Sequence, residues 1–228
     1  MYMKRVILII ILMTLNINGL IQGTHAEFSH STVQLDEFVL ERKSIKSLLE
    51  DLSMIEIINI IDDETLIDKI NILQYKESIA KKETGNIPNP YQVVNRYGYA
   101  GKYQFGKSAL RTLRDNKLID FDIDRDGEKV FLNDSLLQEQ TLNALILYNL
   151  NYIKKKNLYR YVGKKINGTR ITVEGMLAGS HLVGVHAVSH FLENNGSMDD
   201  FYIYGKLCRK YDGNGVSLIV YMKLFEHV

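Results

Sequence analysis

The sequence predicts a mainly α-helical protein, and three observations carry that expectation. Long stretches repeat apolar residues at helical spacing, strand-like runs are scarce, and the two prolines, Pro88 and Pro90, stand together in one loop. "RITV", residues 170 to 173, is the best short strand candidate.

The elements follow in order. "IKSLLEDLSMIEIINII", residues 45 to 61, has amphipathic helical spacing. Asp62 and Asp63 then cap a second helix over Glu64–Glu83, on which Ile72, Ile79 and Glu83 share a face. Gly85, Asn86, Pro88, Asn89 and Pro90 end it. An aromatic loop runs to about Phe105, and "KSALRTLRD" starts the next helix. Further helices are expected at Ser135–Lys156, Val173–Glu193 and Ser217–Phe225.

The chain of 228 residues is 46% hydrophobic and 24% charged, the composition of a globular protein. A formal charge of +1 argues against broad attraction to nucleic acid and leaves a local basic patch open. Lys4 and Arg5 precede the apolar run "VILIIILM", and Thr24-His25-Ala26 supplies small residues. This is the pattern of a signal peptide over residues 1 to 26, its apolar part short for spanning a bilayer, with an uncleaved anchor as the alternative. An exported protein, periplasmic or extracellular, is therefore expected, with no stable membrane span after cleavage. Residues 27 to 61 form a lead-in and helix, and 62 to 228 the functional domain. The lone Cys208 cannot form an internal disulfide and reads as a small buried residue.

One stretch is denser in chemistry than a connector needs. "KKETGNIPNPYQVVNRYGYAGKYQFGKSAL" joins turn formers, tyrosines and amides around a single carboxylate, Glu83. A glutamate at a helix end beside an apolar face is suited to general-acid work, because desolvation and the helix dipole both disfavour its anion. Tyrosines and amides opposite it can stack on sugar faces and hydrogen-bond to their substituents. The bland alternative is a solvated glutamate beside an aromatic turn.

The segments "ETGN" and "VVNRYGYAGKYQFG" resemble the catalytic region of soluble lytic transglycosylases and related lysozyme-like enzymes. There a Glu-Ser pair ends a helix and a glycine-led segment ending in Gln follows; here the pair is Glu83-Thr84 and the segment is Gly101 to Gln104. "YVGKKINGTRITVEGMLAGSHLVGVHAVSHFL" and "DGNGVSLIVYMKLF" fit a variant of the pattern, so the resemblance covers about residues 76 to 226. It implies a lysozyme-like, mainly α fold acting on the MurNAc-GlcNAc bonds of peptidoglycan, without a cofactor. Glu83 would be general acid and then base. Tyr103 and Gln104 would contact substrate, with Thr84, Asn95, Tyr99 and His181 after them. Where the family often has Ala-Tyr-Asn, this chain has "AGSHLVGV", so no tyrosine role carries over there.

No acid lies between Glu83 and Asp115, which is compatible with attack by the muramyl 6-hydroxyl and does not exclude a hydrolase. A non-catalytic glycan-binding module and a calcium-stabilised structural protein are the competing classes. Asp122, Asp124 and Asp126 begin like a calcium loop, but Asn133 stands where a bidentate glutamate belongs, and a solvated turn competes. His186 and His190 share helical spacing without the glutamate of a zinc helix, since Ala187 follows the first histidine. "KKKNLYRYVGKK" could meet anionic peptidoglycan or end a helix in solvent. "NGT" and "NGS" read as turns.

Overall fold

A helix of 21 residues, Ser135–Lys155, runs through the domain and is buried on more than one side. The computed structural model describes residues 72–227; the expected signal peptide and the helix at 45 to 61 lie outside the described residues. Along the long helix Leu142, Ile146, Leu150 and Ile153 recur at intervals of three and four and enter the apolar core. Gln138, Glu139, Thr141, Asn143 and Asn149 are buried too, so polar groups are interspersed with the apolar ones where this helix is covered. Asp134 starts it, its side chain accepting the Leu137 N–H at 2.8 Å.

The described helices are α1 (Ile72–Glu83), α2 (Lys107–Asp115), α3 (Glu128–Asn133), α4 (Ser135–Lys155), α5 (Val173–Val183), α6 (Val185–Glu193) and α7 (Leu218–Lys223). Short 3-10 turns stand at Pro90–Gln92 and Leu158–Tyr161. Two small antiparallel hairpins complete it: β1 (Lys165–Ile166) with β2 (Thr169–Arg170), and β3 (Phe201–Ile203) with β4 (Lys206–Cys208). The architecture is mainly helical, as the sequence predicts.

Three departures have physical reasons. The single helix expected over Val173–Glu193 is two, because Gly184 takes φ 86° and closes α5 with its N–H on the Ser180 carbonyl at 2.9 Å. "RITV" is strand only through Arg170. Thr172 turns the chain into α5 by capping the Gly175 N–H at 3.0 Å. The β3–β4 hairpin had a usable signal in "FYIYGKLC", aromatic and alternating about Tyr204-Gly205, whose φ values are both positive. Cys208 sits on β4 and is partly exposed, not the buried residue expected. Asn167-Gly168 and Asn195-Gly196 are turns, as expected, and the Asn167 amide donates to the Gly196 carbonyl at 2.9 Å, joining them.

Two glycines set how closely α7 approaches α5. A Cβ on Gly175 would lie 3.1 Å from the Met222 carbonyl oxygen. One on Gly179 would lie 3.1 Å from Val188 and 3.2 Å from Met222. Helix α7 therefore seats directly on the α5 backbone, which places Tyr221 beside the end of α1. Gly179→Val should lower the unfolding free energy by about 1–3 kcal/mol, the usual range for overpacking, as a shift in the urea midpoint. An unchanged midpoint would mean that the seat has room to spare.

Candidate active site

Helix α1 buries Ile72, Tyr75 and Ile79 on one face. Glu83 is four residues beyond Ile79, so it stands on that face where the buried stripe reaches the surface. Its side chain is 15% exposed. The helix stops just after it, with Gly85 at φ 60° bonding back to the Lys81 carbonyl at 3.0 Å.

The principal partner of Glu83 is one that sequence reasoning missed. The Tyr221 hydroxyl, from α7, donates to Glu83 Oε1 at 2.6 Å. Burial, and then the Glu83 charge, push the Tyr221 phenol far above its ordinary range, so it stays protonated and remains a donor. The only hint in sequence was its place in the closing stretch "DGNGVSLIVYMKLF", 138 residues from Glu83. Beneath lies Tyr75, whose phenol is raised for the same two reasons.

His181 approaches the same oxygen at 3.8 Å. Its side chain is only 5% exposed, and Nε2 lies 2.9 Å from the Tyr103 carbonyl oxygen. A carbonyl can only accept, so Nε2 carries the proton. Burial lowers the His181 pKa, outweighing the opposing pull of Glu83, and the imidazole is neutral at pH 7. Nδ1 is buried with no hydrogen-bond partner among the described residues.

The other residues expected to contact substrate divide into two kinds. Thr84, Tyr103 and Gln104 are buried and hold the loop in place. The Thr84 hydroxyl reaches the carbonyls of Ala80 at 3.1 Å and Lys102 at 3.2 Å, tying the end of α1 to the glycine-led segment. Gln104 takes a left-handed φ of 51° and donates from its amide to the Gly101 carbonyl at 2.9 Å, which offsets the strain of that backbone. Tyr103 is 1% exposed, with its hydroxyl 2.8 Å from both Glu139 oxygens. Asn95 builds the turn, its side-chain oxygen accepting the N–H groups of Tyr97 and Tyr99 at 2.9 and 3.1 Å. Tyr99 is exposed, as is Tyr97.

Below the loop is the second group that sequence could not find. Glu139, on α4, is 7% exposed and receives Lys102 at 2.8 Å, Lys76 at 3.0 Å and the Tyr91 hydroxyl at 2.8 Å besides Tyr103. Burial alone would raise its carboxyl. The hydrogen bond from Lys102 and the charge of Lys76 outweigh burial and bring it from 4.5 down to about 2. Next to it Gln138, fully buried, accepts the Lys102 N–H and donates to the carbonyls of Tyr91 and Phe131. A Cβ on Gly101 would lie 2.1 Å from that Gln138 oxygen, and Gly101 has φ 77°, so only glycine fits.

The remaining candidates are placed elsewhere. Arg111 grips Asp124 with two hydrogen bonds of 2.8 and 2.7 Å, Arg114 reaches Asp122 at 2.7 Å, and Arg125 pairs with Asp126. The acids of the supposed calcium loop thus neutralise arginines. His186 packs edge-on against Tyr152, and His190 stacks on Phe201 at 4.0 Å. Among the described residues no group of three or more His, Cys, Asp or Glu is placed to hold a metal ion.

No family model, curated protein or solved structure matches this chain. The geometry alone therefore states what the site can do. It offers one carboxylate at a surface edge, engaged on Oε1 by a protonated phenol. Oε2 takes no hydrogen bond among the described residues.

Glu139→Gln removes the charge that two lysines share, and should lower stability at pH 7 by about 2–3 kcal/mol, discounted for their partial exposure. Because the folded carboxyl is depressed, its contribution is complete above pH 4.5 and is lost as the pH falls through about 2. Urea unfolding between pH 7 and pH 2 should show the variant less sensitive to acid than the parent. Parallel curves would remove Glu139 as the source.

Proposed function

We propose that this protein is an exported enzyme that cleaves the MurNAc-GlcNAc β-1,4 bonds of peptidoglycan, as a lytic transglycosylase using Glu83. The observation that carries this reading is the Glu83 carboxylate at the end of α1, held on Oε1 by the Tyr221 hydroxyl at 2.6 Å. The resemblance of "ETGN" and "GKYQFG" to the catalytic segments of that family supports it.

In this reading Glu83 first takes up a proton and then delivers it to the glycosidic oxygen as the bond to the muramyl C1 breaks. The muramyl 6-hydroxyl then attacks C1 and gives its proton to the Glu83 carboxylate, closing a 1,6-anhydro ring and restoring the acid. Charge returns to Glu83 in mid-reaction, and the Tyr221 hydroxyl is already aimed at it, so no dipole has to reorganise. Neutral His181 adds no positive charge beside the sugar cation. A retaining hydrolase needs a second carboxylate about 5–5.5 Å from the first. Glu139 is engaged by Lys76, Lys102, Tyr91 and Tyr103 and is not available for that role.

A glycan-binding module without turnover is favoured by one observation: Thr84, Tyr103 and Gln104 direct their side chains into the loop and its support. Mass spectrometry of purified peptidoglycan separates the readings. Parent protein should release anhydromuramyl ends and Glu83→Gln should release none. Reducing ends would indicate a muramidase, and binding without product would indicate the module. Tyr221→Phe should lower kcat by about ten- to a hundred-fold, the worth of a hydrogen bond to a charged group, with KM little changed. Among the described residues no helix is long and apolar enough to cross a membrane.

A further inference from the structure

Between Glu139 and Glu174 the chain has no acidic residue, yet it carries seven lysines and arginines, in a protein whose formal charge is only +1. Six of them form a connected exposed surface: Lys155, Lys156, Arg160, Lys164, Lys165 and Arg170.

Their connection follows from the backbone. Lys155 ends α4 and Lys156 is its cap. The Arg160 guanidinium folds back to the carbonyls of Lys156 and Asn157 at 3.2 and 3.3 Å. Arg160 and Lys164 both lie over the Tyr161 ring, at 4.7 and 5.5 Å from its centre. The Lys164 N–H bonds the Tyr161 carbonyl at 3.0 Å, and Lys165 is the register partner of Arg170 across the β1–β2 hairpin. Cross-strand partners share a face of the hairpin. One carboxylate, Glu193, approaches Arg160 at 3.8 Å, and Glu226 accepts the Arg170 backbone N–H. Among the described residues Lys155, Lys156, Lys164 and Lys165 have no ion-pair partner.

Like charges gathered in this way repel one another, and an anionic partner relieves that repulsion. We infer that this surface docks the carboxylates of the peptides carried by peptidoglycan strands, holding the polymer that Glu83 cleaves. The inference rests on the reading of Glu83 as a wall-glycan acid. The polymer's carboxylates recur along each strand, and flexible lysines as point charges suit a repeated, loosely placed anion better than one rigid pocket. Tyr161 holds the Arg160 and Lys164 charges over its ring and so keeps them near one another.

Sedimentation of Glu83→Gln protein with insoluble peptidoglycan, stripped of phosphodiester polymers, tests the surface without turnover. Replacing Lys155, Lys156, Lys164 and Lys165 by glutamine in that background should weaken binding about ten-fold or more and flatten its salt dependence. Replacing the same four by arginine should retain binding, and thermal unfolding checks that both variants fold. Equal affinity after the glutamine changes overturns the inference. So does binding confined to wall that keeps its phosphodiester polymers, or tighter binding to a short duplex DNA than to peptidoglycan. If the lysine-dependent binding holds while parent protein yields no anhydromuramyl product, the enzymatic reading falls and the docking surface stands.

Discussion

The buried carboxylate of Glu139 is the constraint on which the site depends. It gathers Lys76 from α1, Tyr91 from the 3-10 turn and Lys102 and Tyr103 from the glycine-led loop onto one point of α4. Each of those groups would be costly to bury alone, and each is satisfied only if the others are in place. The loop and the end of α1 are thereby held as one body. Gln138 and the absence of a Cβ at Gly101 complete the seat.

From that seat the position of Glu83 follows. Thr84 ties the last turn of α1 to the Lys102 carbonyl, and His181 meets the adjoining Tyr103 carbonyl. Tyr221 arrives from the opposite side because Gly175 and Gly179 let α7 lie against α5. The acid is thus defined by three segments far apart in the chain, while its own neighbourhood supplies only the helix end. Thr84, Tyr103, Gln104 and His181 act through that frame.

Most of the described helices were legible because their apolar spacing is a local property, while the short α3 was not expected. α2 matches its predicted limits, and α4 ends within a residue of expectation. The break at Gly184 was less so, since glycine alone does not state whether a helix continues through it. The place of Glu83 at the end of an apolar stripe was legible, as were the turns at Asn167-Gly168 and Asn195-Gly196, whereas Asn95, expected to contact substrate, builds a turn instead. Glu139 was not legible, because a polar position on a helix looks the same whether it faces water or a ring of lysines and tyrosines.

By itself, then, the sequence determined the helical class, several of the turns and the one carboxylate standing in an aromatic, amide-rich stretch. Spacing and side-chain chemistry act over a few residues and can be read along the chain. Only the tertiary structure decided which groups meet that carboxylate, and that Tyr103 turns inward to Glu139 while Tyr221 reaches Glu83. The reason is that hydrogen bonds between remote segments depend on how the helices pack. The packing of α7 on α5, set by two glycines, has no counterpart in local sequence.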